Sequence, residues 1–243
     1  MISLFFKEIN SFFSSVIGYV VMGVFLLAIG LLMWVFPDFS IINYKYATLD
    51  QLFDVAPMVF LFLIPAITMR SIAEERNQGT IEFLETKPLT DLQIVLAKFF
   101  ASWVLVGITL IPTLIFYYSV YQLGLPKGNL DSGAIAGSYL GLFMLGGIFA
   151  AIGVFASSLT NNQIVAFLLA ALLAFIFYWG FDFISRMPVF IGWIDDIVQM
   201  LGIEYHYQQI SRGVIDSRNM IYFFSVMAAF IGAAQLSLEK RGW

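Results

Sequence analysis

Charge is the scarcest property of this chain. Only 12% of its 243 residues are charged, with 12 Lys and Arg against 16 Asp and Glu, whereas a soluble domain has about 25%. The mean hydropathy is +0.89, and 60% of the residues are hydrophobic. A soluble globule needs many polar side chains to cover its surface. The composition therefore excludes a disordered chain and predicts a protein whose main partner is the lipid bilayer.

Other absences exclude whole classes of site. The chain has no cysteine, which excludes a disulfide scaffold, an iron–sulfur cluster and a thiolate zinc site. Its single histidine argues against a metal site built from imidazoles. A net charge of −4 lacks the basic footprint of nucleic-acid binders, so no nucleic-acid partner is expected. No G-x-x-x-x-G-K-[ST] motif occurs, so this chain is not expected to hold ATP or another cofactor itself.

Apolar runs between the charges predict an all-α fold with six transmembrane helices in one domain, 1–243. A bilayer core of about 30 Å needs roughly 20 apolar residues of helix. The uncharged run 132–181 is too long for one crossing, and the polar stretch 157–163 divides it into a hairpin. The predicted spans are 16–36, 50–70, 94–120, 135–157, 164–183 and 219–238. Residues 1–15 have the pattern of an amphipathic interfacial helix, and 184–218 form an outer loop with short helices.

Loop charges favour termini that both face the cytoplasm. With an even number of spans, seven basic residues would then lie inside and five outside. The span interiors contain no Asp, Glu, Lys or His near the midplane, which argues against ion-coupled transport. The energy for transport would therefore have to come from a source other than a coupling ion bound within the spans.

Most of the inner charge lies between Arg70 and Lys98, a stretch that contains the cytoplasmic segment 71–92 after the second span. Gly79 permits a tight turn, Thr80 is placed to cap a short helix with Glu82 in its first turn, and Pro88 ends that helix. Seven residues of helix are too short to be stable alone in water. The spacing leaves two interpretations open, a docking surface for a soluble partner or a solvated loop with good caps.

Two runs of sequence resemble a known family. Residues 74–84, with Pro88 and Lys98, resemble the E-x-x-x-G-T-x-E-x-L, P, G/A-K pattern of ABC-2 type permeases, the membrane subunits of ABC transporters. Residues 206–218 and 238–243 resemble the subgroup that contains the gliding-motility permease of Bacteroidota and the permease of the nitrous-oxide-reductase maturation transporter. The overall pattern is most similar to the gliding-motility subunit. Asn219 departs from the family, which often has Asp there.

The resemblance implies a permease subunit in the bacterial inner membrane. ATP-Mg would bind to a separate cytoplasmic ABC ATPase, and a second permease subunit, identical or homologous, would complete the transporter. The residues implied to contact the ATPase are Glu74, Glu75, Arg76, Gly79, Thr80, Ile81, Glu82, Leu84, Glu85 and Pro88. A second, smaller contact is implied at Ser158, Asn161, Asn162 and Gln163. His206, Arg212, Gly213 and Asp216 belong to the outer-loop motif, for which a structural role is favoured over substrate contact.

Two other functions compete with transport. The near absence of polar residues in the spans also suits a membrane anchor or assembly component of a larger motility or secretion complex. An intramembrane enzyme would need a nucleophile with a histidine, or paired carboxylates within the membrane, and the pattern gives neither. The glycines of the fourth span, which include Gly133, Gly137 and Gly141, permit close helix packing within the chain or with a second subunit.

Overall fold

The computed structural model describes residues 1–37, 40–41, 47–80, 89–187, 193–214 and 216–240. Within these ranges helices are the only regular secondary structure, which confirms the predicted all-α fold. The α-helices are α1 (Ile2–Phe13), α2 (Val16–Trp34), α3 (Asp50–Thr68), α4 (Ala73–Asn77), α5 (Asp91–Leu110), α6 (Leu114–Leu123), α7 (Ser132–Leu159), α8 (Gln163–Phe175), α9 (Phe181–Ser185), α10 (Trp193–Met200), α11 (Ile203–Ile210) and α12 (Ser217–Glu239).

Five stretches of the described chain are long and apolar enough to cross a membrane. They are Asp50–Asn77, Asp91–Leu123, Ser132–Leu159, Gln163–Ser185 and Ser217–Glu239. The N-terminal pair α1 and α2 qualifies as a sixth only when taken together, with a 67° bend between its two helices. The bend lies between α1 and α2.

Two spans contain irregular turns. Pro112 lies in a 3₁₀ turn, Ile111–Thr113, that joins α5 to α6. A π-helical turn, Ile176–Gly180, joins α8 to α9. Pro57 and Pro65 lie within α3, which continues through both.

Helix α7 is the centre of the bundle. Of its most apolar stretch 83% is buried, against 17% for α12, and it packs against α3, α5, α8 and α12. Its glycines allow the close approach, since a Cβ on Gly146 would lie 2.6 Å from Val106 Cγ1 and a Cβ on Gly147 would lie 2.9 Å from Trp103. A Cβ on Gly153 would overlap Thr68 of α3. These three glycines therefore pack within the chain, as Gly137 and Gly141 do against Gly213 and Ile210.

The polar stretch 157–163 is only partly a loop. Ser157 and Ser158 are fully buried and still belong to α7, which ends at Leu159. The turn itself is residues 160–162, and Asn162 Oδ1 accepts the N–H of Ile164, 2.9 Å away, to cap α8. The prediction that the fourth span ends at residue 157 is therefore two residues short, because both serine hydroxyls find backbone partners inside the bundle.

The two ends of the bundle differ in their connections. Helix α1, the segment 69–80, the 160–162 turn and the last residues of α12 lie at one end, which we call the α1 end. The two short helices α10 and α11 lie at the opposite end, where α11 contacts the start of α3 and of α7. The N-terminal helix and the end of α12 thus share one side of the bundle, as an even number of crossings requires.

Candidate functional site

The chain leaves α3 at the α1 end through a short turn into α4. Gly79 follows α4 with a φ of +66°, a conformation that L side chains rarely adopt. The Gly79 N–H bonds the Arg76 carbonyl at 3.1 Å and the Thr80 N–H bonds the Glu75 carbonyl at 2.9 Å, the two bonds of a Schellman motif. The sequence correctly predicts the turn at Gly79. Whether Thr80 also begins a second short helix lies outside the described residues, because 81–88 are not among them.

Arg70 and Glu74, four residues apart along the chain, form an ion pair. The guanidinium donates from Nε at 2.8 Å and from Nη2 at 2.9 Å to the two carboxylate oxygens of Glu74. Such a two-point contact fixes both side chains and continues the line of α3 into α4.

Four charged side chains meet beside this turn, and we call them the Lys98 cluster: Lys7, Glu8, Glu75 and Lys98. Lys98 is only 1% exposed, and its Nζ lies 2.9 Å from Glu8 Oε1 and 2.8 Å from Glu75 Oε2. Lys7 Nζ, on an exposed side chain, lies 3.2 Å from Glu75 Oε1. The cluster holds two positive and two negative charges, so its formal charge is zero. It joins α1, α4 and α5, which are far apart in the sequence.

A buried hydroxyl from α7 holds the start of α4. Ser157 Oγ accepts the N–H groups of Ile72 at 3.0 Å and Ala73 at 2.9 Å, and donates to the Met69 carbonyl at 3.1 Å. A helix N-terminus normally takes such a cap from its own chain neighbour. Here the cap comes from residue 157, so α4 is attached to the central helix of the bundle.

The predicted ATPase-contact residues separate into two groups. Glu74 and Glu75 form ion pairs within the chain with Arg70, Lys7 and Lys98, and their side chains are 25% and 12% exposed. Among the described residues between α3 and residue 81, the exposed ones are 77–79. Arg76 lies between the groups, and its Nε and Nη2 are buried without a hydrogen-bond partner among the described residues. Ile81, Glu82, Leu84, Glu85 and Pro88 lie outside the described residues.

The residues of the second predicted contact also differ in burial. Ser158 is fully buried and donates to the Phe155 carbonyl at 2.7 Å, so its side chain cannot touch a partner in this conformation. Asn161 and Asn162 are exposed at the tip of the turn, and Gln163 is half-buried beside them. This tip lies at the α1 end, on the same side as residues 77–79.

At the opposite end, His206 is held by the start of α12. Its Nδ1 lies 2.7 Å from Asn219 Oδ1 and its Nε2 lies 2.9 Å from the Met200 carbonyl. The ring stacks on Tyr222 with centroids 3.8 Å apart. Asn219 is 2% exposed and also donates to Gln209 Oε1 at 3.1 Å. Both ring nitrogens of His206 are engaged, so the histidine joins α10, α11 and α12.

The rest of the outer-loop motif packs the same region against α7 and caps α12. Gly213 has a φ of +81° and its backbone lies against Gly137, where a Cβ on Gly137 would be 3.0 Å from the Gly213 Cα. Ser138 Oγ donates to the Ser211 carbonyl at 2.7 Å. Asp216 Oδ1 accepts the Arg218 N–H at 2.9 Å and caps α12.

Arg212 is the exposed member of the outer motif. It lines an open cavity of about 550 Å³ together with Asp50 and Asp54 of α3. His206, Gly213 and Asp216 therefore carry packing and capping contacts, and Arg212 alone of the four faces open space.

Several important residues give little signal in the sequence. Glu8 lies in a helix whose apolar side chains dominate its pattern, and Ser157 looks like part of a polar turn. Lys98 belongs to the family pattern, but its burial depends on two carboxylates 23 and 90 residues away along the chain. Only the tertiary contacts identify these three as the residues that attach α4 and α1 to the bundle.

The geometry defines a polytopic α-helical membrane protein whose loops at one end are built around a short, firmly held helix. The sequence matches the family described as ABC-2 family transporter protein over residues 41–231. The chain therefore belongs to the ABC-2 transporter family and is the membrane component of an ABC transporter, not its catalytic subunit. A search of the curated proteins finds no match to the chain.

Proposed function

We propose that this permease is driven by a separate cytoplasmic ABC ATPase, which binds ATP-Mg and docks at the α1 end. The observation that carries the proposal is the position of residues 77–79. They are exposed at the tip of a segment that three separate contacts hold in place: the Arg70–Glu74 pair, the Lys98 cluster and the Ser157 cap. A rigidly attached tip is what a partner needs in order to transmit force to the spans.

The docking surface comprises residues 77–80, the adjoining residues 81–88 and the tip 161–162 of the second turn. Its acidic character would come from Glu82 and Glu85, since Glu74 and Glu75 are paired within the chain. The α1 end would face the cytoplasm of a bacterial cell, with the chain in the inner membrane. This orientation accords with the distribution of basic residues in the loops.

A second permease subunit, identical or homologous, would complete the membrane part. Helices α8 and α12 offer a surface for this second subunit or for lipid. Only 22% of the apolar stretch of the span that contains α8, and 17% of that of α12, is buried within the chain. For the substrate, the apolar spans suit a lipid-like or lipidated molecule. A role in gliding motility rests on the resemblance of residues 206–218 and 238–243 alone.

A matched pair of arginine substitutions tests the docking site. Asn77→Arg introduces a cation at the exposed tip of the α1 end, and Asn129→Arg introduces the same charge at an exposed position of the opposite end. We expect the ATPase to co-purify from native membranes with wild type and with Asn129→Arg, and to be lost from Asn77→Arg. Glu82→Lys with Glu85→Lys should give the same loss. Equal recovery with every variant would place the docking site elsewhere.

The alternative is a membrane anchor or assembly component that moves no substrate. It is favoured by the scarcity of charged and polar side chains in the spans, which gives no evident aqueous path. Reconstituted complex distinguishes the two. ATP hydrolysis accompanied by movement of a lipid or lipidated probe supports transport, whereas hydrolysis without movement of any such probe supports the anchor.

A further inference from the structure

Lys98 has an environment that general packing does not explain. A lysine is almost never fully buried unless it is paired, and this side chain is 1% exposed. The ammonium group has three N–H donors. Three oxygen atoms surround it, Glu8 Oε1, Glu75 Oε2 and the backbone carbonyl of Ser71. Glu8 Oε1 and the Ser71 carbonyl accept hydrogen bonds from the ammonium group, and Glu75 Oε2 forms an ion pair with it at 2.8 Å. Each of the three oxygens comes from a different element of the chain.

The four residues that meet at this ammonium group lie on different elements of the chain. Ser71 lies in the turn before α4, Glu75 lies on α4, Glu8 lies on α1 and Lys98 lies on α5. If α4 moved away from either neighbour, a buried charge would lose its partner, and that loss costs far more than breaking an exposed pair. The four groups therefore resist any motion that separates α4 from α1 or from α5.

The same end of the chain contains an ion pair of a different kind. Arg70 and Glu74 are four residues apart within one continuous segment, and both are partly exposed. Breaking that pair leaves the contacts of α4 with α1 and α5 in place. It is therefore a matched control for the effect of losing charge near α4.

We propose that Lys98 is a positioning residue that joins α1, α4 and α5 into one mechanical unit. This inference rests on the proposed function, because it takes α4 as the segment on which the ATPase acts. Displacement of residues 77–80 is then passed to the N-terminal helix and to the third span together. Helix α1, with Ile2 and Phe6 exposed beside the bundle, becomes part of the moving unit and not a passive membrane anchor.

The first test measures the joint itself in the full chain. The protein has no cysteine, so spin labels can be placed at Asn10→Cys on α1 and Asn77→Cys on α4, both exposed positions. In lipid nanodiscs we expect a narrow distance distribution for wild type and for Arg70→Gln, and a broad one for Lys98→Met. Glu8→Gln is a milder variant, because it removes one carboxylate at a partly exposed position and keeps Lys98 paired with Glu75. An unchanged distribution in both Lys98→Met and Glu8→Gln would overturn the proposal.

The second test separates transmission from binding. The ATPase should still co-purify with Lys98→Met in wild-type amount, because the exposed tip is unaltered. Stimulation of its ATP hydrolysis by the permease should fall by about fivefold to 100-fold, the usual range of coupling between two sites. Full stimulation in a variant whose distance distribution is broad would overturn the transmission role. In a double-mutant cycle, Lys98→Met with Glu8→Gln should lose less than the sum of the single effects.

Failure of the two proposals can be told apart. If no ATPase co-purifies even with wild type, the proposed function is wrong, and the spin-label measurement still decides whether Lys98 joins the three helices. If the ATPase binds and the labels show no joint, only the role of Lys98 is wrong.

Discussion

Replacing Ser157 with alanine tests whether α4 is attached to the central helix by one hydroxyl. The substitution removes two accepted bonds and one donated bond, all at a residue that is fully buried. The N–H groups of Ile72 and Ala73 then lack a partner at the start of a helix. Each buried group left unsatisfied costs about 1–3 kcal/mol, and local relaxation lets water reach some of them. We expect a total loss of about 2–4 kcal/mol.

Hydrogen exchange measures this loss where it occurs. A cost of about 2–4 kcal/mol corresponds to exchange of the Ile72 and Ala73 amides that is about 30-fold to several hundredfold faster. The measurement uses purified protein in nanodiscs, with peptides that cover residues 69–77. Unfolding of the whole chain should shift less, because α4 opens locally.

Ser102→Ala is the matched control for this prediction. Ser102 is also buried, but its hydroxyl donates to the Lys98 carbonyl within its own helix at 2.9 Å. That carbonyl keeps a helical partner, so the loss should be under about 1 kcal/mol. If Ser157→Ala and Ser102→Ala gave the same exchange rates at residues 72 and 73, the attachment of α4 through Ser157 would be refuted.

Two further predictions concern packing and pH. Gly153→Ala should destabilise the chain by about 1–3 kcal/mol in thermal unfolding, since the added Cβ would overlap Thr68. Gly232 has open space around it, so Gly232→Ala should be neutral or stabilising. Equal effects of the two substitutions would refute the packing of α7. Burial, together with the charge of Asp182, raises the pKa of the Glu204 carboxyl group. The folded state therefore binds the carboxyl proton more tightly than the unfolded state does, and the free energy of unfolding falls as the pH rises through the raised pKa. Glu204→Gln should therefore reduce the fall of the melting temperature as the pH rises above about 4.5, the ordinary pKa of the carboxyl group. An unchanged pH dependence would contradict this.

The spans were predictable because the thickness of the bilayer and the rise of the α-helix together fix how many apolar residues one crossing needs. Residues 132–159 and 217–239 form helices that match the predicted fourth and last spans within three residues at each end. The errors are at the ends, where polarity does not distinguish a loop from a capped helix. Ser157 and Ser158 are polar, yet both are buried in α7 because their hydroxyls reach backbone groups.

The site was predictable in outline and not in detail. The turn at Gly79 and the pair Arg70–Glu74 follow from short-range rules, since both involve residues within one or two turns of helix. The role of Glu75 did not follow, because its partners are 23 and 68 residues away. Glu75, which the resemblance assigns to the contact with the ATPase, lies between Lys7 and Lys98 in the Lys98 cluster.

The sequence by itself determined that this is a membrane protein and which of its apolar stretches are long enough to cross a bilayer. Those conclusions need only composition and spacing along the chain. Only the tertiary structure decided which charges remain available to a partner. Lys98 and Ser157 bring distant elements together, and a buried ion pair or hydroxyl has its effect only when folding places both partners within hydrogen-bonding distance.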